Sequence, residues 1–187
     1  AVVAALLDRC VFERIVTIDL HSASIEGFFA CPVENLTAGP TLAEAVRPHA
    51  SGGVIVAPDF GAVKLARRYA SVLGLPLAVV HKTRHGPREV TVDEVSGDVR
   101  GRLPVVVDDM ISTGATIAAA LHAVIAAGAA PDAIVAATHG IFAPGSYALL
   151  ASQPIRKLFV TDSVEPLASS LLVERIGHPG AQGLIVR

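Results

Sequence analysis

The sequence has no Trp, one Met, two Tyr and six Phe, so only 4% of its 187 residues are aromatic and few side chains are available to stack on a planar ligand. Charge is sparse as well. Lys and Arg number 15 against 17 Asp and Glu, a formal net charge of -2, and no basic run is present. Sequence-independent binding of nucleic acid depends on clustered cations that neutralise backbone phosphates, and without such a cluster a small-molecule ligand is the expectation. The two cysteines, Cys10 and Cys31, lack the paired spacing of a zinc site or a disulfide framework. They fit inert thiols in a reducing, cytoplasmic setting.

Long hydrophobic runs are missing too, although mean hydropathy is +0.56. The best candidate for a membrane span, residues 115–130, falls short of the ~20 residues required, carries His122 and ends in Gly128 and Pro131. It reads as a buried helix, and no membrane partner is expected. Residues 1–7 are apolar but have no basic residue ahead of them and no small-residue cleavage site behind, so they do not read as a signal peptide. The chain starts without Met and in the middle of a helical pattern, which leads us to expect a piece of something longer. With 52% hydrophobic residues the chain is not disordered. At roughly 150 residues per domain its length suits about one domain.

What the sequence does have is a rhythm of short Val- and Ile-rich runs separated by helical stretches. Strands are predicted at 15–20, 53–57, 77–80, 104–107, 134–137 and 158–161. Few of them alternate in polarity. Strands apolar on both faces and separated by helices indicate a parallel sheet covered on both sides, a doubly wound α/β fold. Helices are predicted at 41–47, 61–73, 115–127, 146–152 and 167–175. In the third, Ile117, Leu121, Val124 and Ile125 share a face, His122 lies off it, and Gly128 can supply a left-handed cap. Residues 31–40 read as a connector. Residues 81–102 are long, polar and charged, and Val90, Val92 and Val95 could support a hairpin there.

The strongest chemical signal is Val105-Val106-Val107-Asp108-Asp109-Met110-Ile111-Ser112-Thr113-Gly114-Ala115-Thr116. An apolar strand runs into two carboxylates, then a turn rich in hydroxyls, then a helix. The turn can aim backbone N–H groups and hydroxyls at a phosphate with the positive end of a helix behind it. Asp108 and Asp109, at the carboxyl end of a strand, can accept from ribose hydroxyls or hold a hydrated Mg²⁺. An ordinary capped helix would need one such residue, not two acids and three hydroxyls.

Asp108 to Thr116 resembles the PRPP-binding motif of type I phosphoribosyltransferases and of ribose-phosphate pyrophosphokinase (PRPP synthetase). The rest of the chain is similar to the synthetase family, in particular its carboxyl-terminal, phosphoribosyltransferase-like half. The matching segments are Thr17-Ile18-Asp19-Leu20-His21, Gly27-Phe28-Phe29, Pro32-Val33-Glu34-Asn35-Leu36, Ala57-Pro58-Asp59 with Ala66-Arg67, and Thr138-His139-Gly140-Ile141-Phe142. His81-Lys82-Thr83-Arg84 stands where that family has a mobile Lys-x-Arg loop.

The resemblance implies a mostly parallel, type I phosphoribosyltransferase-like sheet over residues 35–187, preceded in 1–34 by the last helix and strand of an amino-terminal domain. It implies transfer of diphosphate from Mg-ATP to the C1 hydroxyl of ribose 5-phosphate, giving PRPP and AMP, in a cytoplasmic homo-oligomer. Lys82 and Arg84 would be catalytic, closing over the transferring phosphates. Asp108, Asp109, Ser112, Thr113, Gly114, Ala115 and Thr116 would bind ribose 5-phosphate, and His21 and Asp59 would serve Mg²⁺. No adenine pocket is recognisable. Two alternatives use the same turn: a PRPP-dependent phosphoribosyltransferase, and a noncatalytic protein associated with the synthetase.

Overall fold

A computed structural model of the chain describes residues 2–84, 90–164 and 173–176, with side chains over 2–81 and 94–164. The chain opens with helix α1 (Val2–Asp8) and strand β1 (Ile15–Ile18), which pairs in parallel with β2 (Val33–Leu36) as a separate two-stranded sheet. Then follow α2 (Gly39–Val46), β3 (Gly53–Ala57), α3 (Val63–Leu73), β4 (Leu77–Arg84), β5 (Val90–Ser96) and β6 (Leu103–Ile111). The last described elements are α4 (Ala115–Ala126), β7 (Ala133–Gly140), α5 (Ser146–Ala151), β8 (Ile155–Thr161) and β9 (Val173–Ile176). The main sheet runs β5-β4-β3-β6-β7-β8-β9. Its strands are parallel to their neighbours except β5, which returns antiparallel along β4.

Strict alternation along each strand divides the apolar residues between two cores. Val54, Val56, Val106, Val135 and Val160 face the layer of α4 and α5 with Ile117, Leu121 and Leu150. Ile55, Val105, Val107, Ile134 and Phe159 face the other layer with Leu42 of α2 and Tyr69 of α3. Both faces are therefore apolar, as the lack of polar alternation in the sequence required. Gly128 takes the left-handed conformation expected of it, with φ +98°.

Three expectations need correction. The connector expected at 31–40 contains β2 and the start of α2. Val33-Glu34-Asn35-Leu36 is mostly exposed and carries no periodic signal, so its strand exists only through pairing with β1. The helix expected at 167–175 overlaps β9, whose Val173 to Arg175 pair with Leu158 to Val160; residues 167–172 lie outside the described ones. A short apolar run is ambiguous between helix and strand, and the free edge of β8 decides it. Finally, β4 extends to Arg84, so residues 82–84, expected on a loop, are strand residues opposite β5.

Candidate functional site

Strand order fixes where a ligand can sit. From β3 the chain passes through α3 to β4 on one side, whereas β6, the other neighbour of β3, leads through α4 to β7 on the opposite side. The winding reverses between β3 and β6, and the connections splay apart at their carboxyl ends. A cleft of about 530 Å³ opens there. Asp59, two residues past β3, and Asp108 and Asp109, near the end of β6, line it together with His21.

The turn after β6 forms one wall of this cleft through Ser112, Thr113, Gly114 and Thr116. Its base is anchored, because Ile111 O accepts from Ile141 N and Phe142 N and Ser112 O accepts from Ala143 N, each at 3.0 Å. Gly114 takes φ +80° and is the N-cap of α4 without any side-chain cap. A Cβ there would lie 3.0 Å from Leu150 Cγ, so α5 packs against the turn from behind. Ser112, Thr113 and Ala115 are exposed. A helix leaves its first N–H groups without intrahelical partners, and the N-cap here is a glycine with no side chain of its own to cap them. Thr113 Oγ1 takes the Ala115 N–H at 3.3 Å.

The acids form the other pole. The Asp109 N–H donates to Asp108 Oδ1 at 2.9 Å. Burial, followed by the charges of Asp109 and Asp59, pushes the Asp108 carboxyl up to about 7, although the backbone hydrogen bond works against this. Asp109 Oδ2 accepts from His21 Nδ1 at 2.7 Å. That hydrogen bond and the Asp109 charge raise the imidazole above its ordinary value, with Asp108 and Asp59 adding smaller contributions. Asp59 Oδ1 accepts from Ala62 N at 3.2 Å and so helps start α3.

Of the residues singled out in the sequence, His21, Asp59, Asp108, Asp109, Ser112, Thr113, Gly114 and Thr116 share this one cleft. Ala115 is the first residue of α4, beside it. His21 and Asp59 line the same cleft, and the hydrogen-bond partner of His21 there is Asp109. Among the described residues no group of three or more His, Cys, Asp and Glu side chains is arranged to hold a metal ion. The backbones of Lys82 and Arg84 pair with Val92 and Val90; their side chains lie outside the described ones. Sequence reasoning gave no site role to Asp19 and Asn35, which it met only in matching segments, or to Lys64 and Arg68; all four also line the cleft. The spacing of Lys64 and Arg68, four apart on a helix that follows a site strand, was the available signal.

The model of the phosphoribosyl transferase domain family matches residues 38–163, from α2 through the β3–β6 switch point to the end of β8. The chain belongs to the phosphoribosyl transferase domain family. Within it, the chain is 43% identical over 178 residues to the ribose-phosphate pyrophosphokinase of Streptomyces coelicolor, covering 93% of this chain and 54% of that protein. It is 36% identical over 185 residues to the ribose-phosphate pyrophosphokinase of Agrobacterium fabrum, covering 98% of this chain and 59% of the relative. The crystal structure of phosphoribosylpyrophosphate synthetase from Mycobacterium smegmatis superposes with a TM-score of 0.82 at 36% identity, over 94% of this chain and 58% of that one. This phosphoribosyl transferase domain chain thus spans a little over half the length of the relatives it matches. No described helix is long and apolar enough to cross a membrane.

Proposed function

We propose that this chain is the ribose-phosphate-binding half of a ribose-phosphate diphosphokinase, which transfers diphosphate from Mg-ATP to ribose 5-phosphate and yields PRPP and AMP. The observation that carries this reading is the shared cleft. A phosphate-receiving turn, a carboxylate pair and the His21 imidazole converge at the switch point of a chain whose relatives bear that name. In this reading Ser112, Thr113, Gly114, Ala115 and Thr116 hold the 5-phosphate against the start of α4, and Asp108 and Asp109 accept the ribose hydroxyls. Ribose so anchored presents its C1 hydroxyl toward Asp59, His21 and the α3 wall, where Lys64 and Arg68 add positive charge.

Mg²⁺ keeps its waters and takes only one or two protein ligands beside phosphate oxygens, as an ion that arrives on ATP requires. His21 and Asp59 would supply those ligands, and the ion would neutralise the transferring phosphates. The C1 hydroxyl gives up its proton to solvent and its oxygen forms a bond to the β-phosphorus as the bond from that phosphorus to the α,β-bridging oxygen breaks, so that AMP leaves with the bridging oxygen. Positioning and charge neutralisation are the main demands of such a step. Lys82 and Arg84 would bind the charge on the transferring phosphates.

We further infer that residues 1–34 close an amino-terminal domain, and that the enzyme works as a cytoplasmic homo-oligomer. The relatives' names favour this reading over a base-transferring enzyme or a noncatalytic partner. The test is a coupled assay for AMP release from Mg-ATP and ribose 5-phosphate, run on a form of the chain extended at its amino terminus. Stoichiometric AMP and PRPP are expected. Release of orthophosphate alone, or no turnover in the extended form, would overturn the reading.

A further inference from the structure

Thr17, Ile18, Asp19 and Leu20 are each tied to another part of the fold by at least one hydrogen bond. Asp19 adopts φ +42°, a left-handed conformation unusual for any residue except glycine, though Asp and Asn tolerate it best. Its backbone N–H donates to Leu36 O at 2.9 Å. Asp19 Oδ2 accepts from the Ala38 N–H at 2.9 Å, just ahead of α2, and from Thr138 Oγ1 on β7 at 2.7 Å. The residues on either side are held as well. Ile18 O accepts from His139 Nε2 at 2.9 Å, and Asn35 Oδ1 accepts from Leu20 N at 3.3 Å. Past Leu20 this pinning stops. The His21 side chain is 70% exposed, and the hydrogen bond that connects it to the site is the one to Asp109.

From this we infer that Asp19 is a positioning residue: its carboxylate clamps the end of β1 to α2 and β7, turns the chain out of the strand, and so sets His21 against Asp109. The inference rests on the function proposed above, since His21 matters only if the cleft works as described. A chain that continued extended from Ile18 would carry residue 21 about 10 Å onward along the strand direction. The left-handed bend at Asp19 redirects it, and the carboxylate fixes the bend because one oxygen joins two other elements. Thr138 is buried at 1% exposure, so its end of the bond to Asp19 is shielded from water. Both bonds converge on a single oxygen, so an amide oxygen could accept them equally well.

That convergence provides the test. The imidazole ¹⁵N shifts of His21 are measured at one fixed pH in the 187-residue chain, with and without Asp109→Asn, in four backgrounds. In the native background the shifts should respond to Asp109→Asn, because the two side chains touch. The response should be lost in Asp19→Gly, which tolerates the left-handed backbone but has no carboxylate, and it should return in Asp19→Asn. Thr138→Val removes one of the two bonds, leaves the backbone alone and should weaken the response even if Asp19→Gly fails to fold. A full response in folded Asp19→Gly or in Thr138→Val overturns the inference. Calorimetric titration of the same samples with ribose 5-phosphate reads the functional proposal separately. Loss of binding in the native background would count against that proposal and leave the positioning result intact.

Discussion

Asp108 combines two demands that pull against each other. A site for ribose hydroxyls needs an acceptor, while burial beside Asp109 and Asp59 disfavours the charged form and raises the carboxyl to about 7. The consequence for stability has a definite sign. Below about pH 4 the group is neutral in both the folded and the unfolded chain. Between pH 4 and about 7 the unfolded chain ionises more readily, so folding is progressively opposed, and above 7 the penalty is complete. Asp108→Asn removes the penalty and keeps an acceptor for the Asp109 N–H. Its Tm should match that of the native chain at pH 4 and exceed it at pH 8 by on the order of 5 °C, as a gain of a few kcal/mol implies for a domain of this size. Equal melting temperatures at both pH values would place Asp108 in a far wetter setting than the structure does. His21 contributes with the same sign, because its raised value favours the folded state on the acid side. Comparing the two chains at each pH cancels the His21 contribution except for the small part that Asp108 makes to it.

At the scale of elements, the β6–turn–α4 unit is held by a neighbour as much as by its own sequence. Gly114→Ala imposes a left-handed alanine and brings a methyl group to 3.0 Å from Leu150 Cγ. Urea unfolding should show a loss of roughly 1–3 kcal/mol. No loss would mean that α5 does not brace the turn. The end of β4 makes a kinetic prediction. A group that meets the transferred phosphates mainly near the transition state affects turnover more than ground-state binding. In the chain extended at its amino terminus, Lys82→Ala should lower kcat by about a hundredfold or more and change the affinity for ribose 5-phosphate little. A fall of less than about threefold would make this strand end a solvated hairpin.

These elements also mark where the sequence was legible. Strands β3, β6, β7 and β8 could be read because both their faces are buried, so each is a continuous apolar run. The Asp108–Thr116 signal could be read because strand, acids and turn are contiguous. Strand β2 could not be read, since its residues are mostly exposed and its partner lies 18 positions earlier in register. The same reason hid Asp19. Its role depends on Ala38 and Thr138, distant in sequence and brought close only by the fold. For Lys82 and Arg84 the local polarity suggested a loop, whereas antiparallel pairing with β5 extends the strand through them.

For the whole molecule, the proposed function gives one half of the reactant pair a site among the described residues and leaves the other to be held elsewhere. The turn and the acids that would hold ribose 5-phosphate come from β6 and α4, within a fold that spans 54% to 59% of its relatives. Among the described residues no stacking pocket for adenine is recognisable, and holding only one reactant forfeits an effective concentration worth several kcal/mol of barrier. The 187-residue chain alone should therefore release AMP very slowly or not at all in the coupled assay, and the extended chain should be active. Full activity in the short chain would mean that these residues already contain an adenine site.

The central claim, that the switch-point cleft binds a ribose phosphate, needs neither ATP nor an upstream domain. Calorimetric titration of ribose 5-phosphate with Mg²⁺ into this chain tests it most directly, beside the double variant Asp108→Asn, Asp109→Asn. One site per chain in the native form and markedly weaker binding in the double variant are predicted. Absence of binding to the native chain, or an affinity unchanged by the double substitution, would contradict the account.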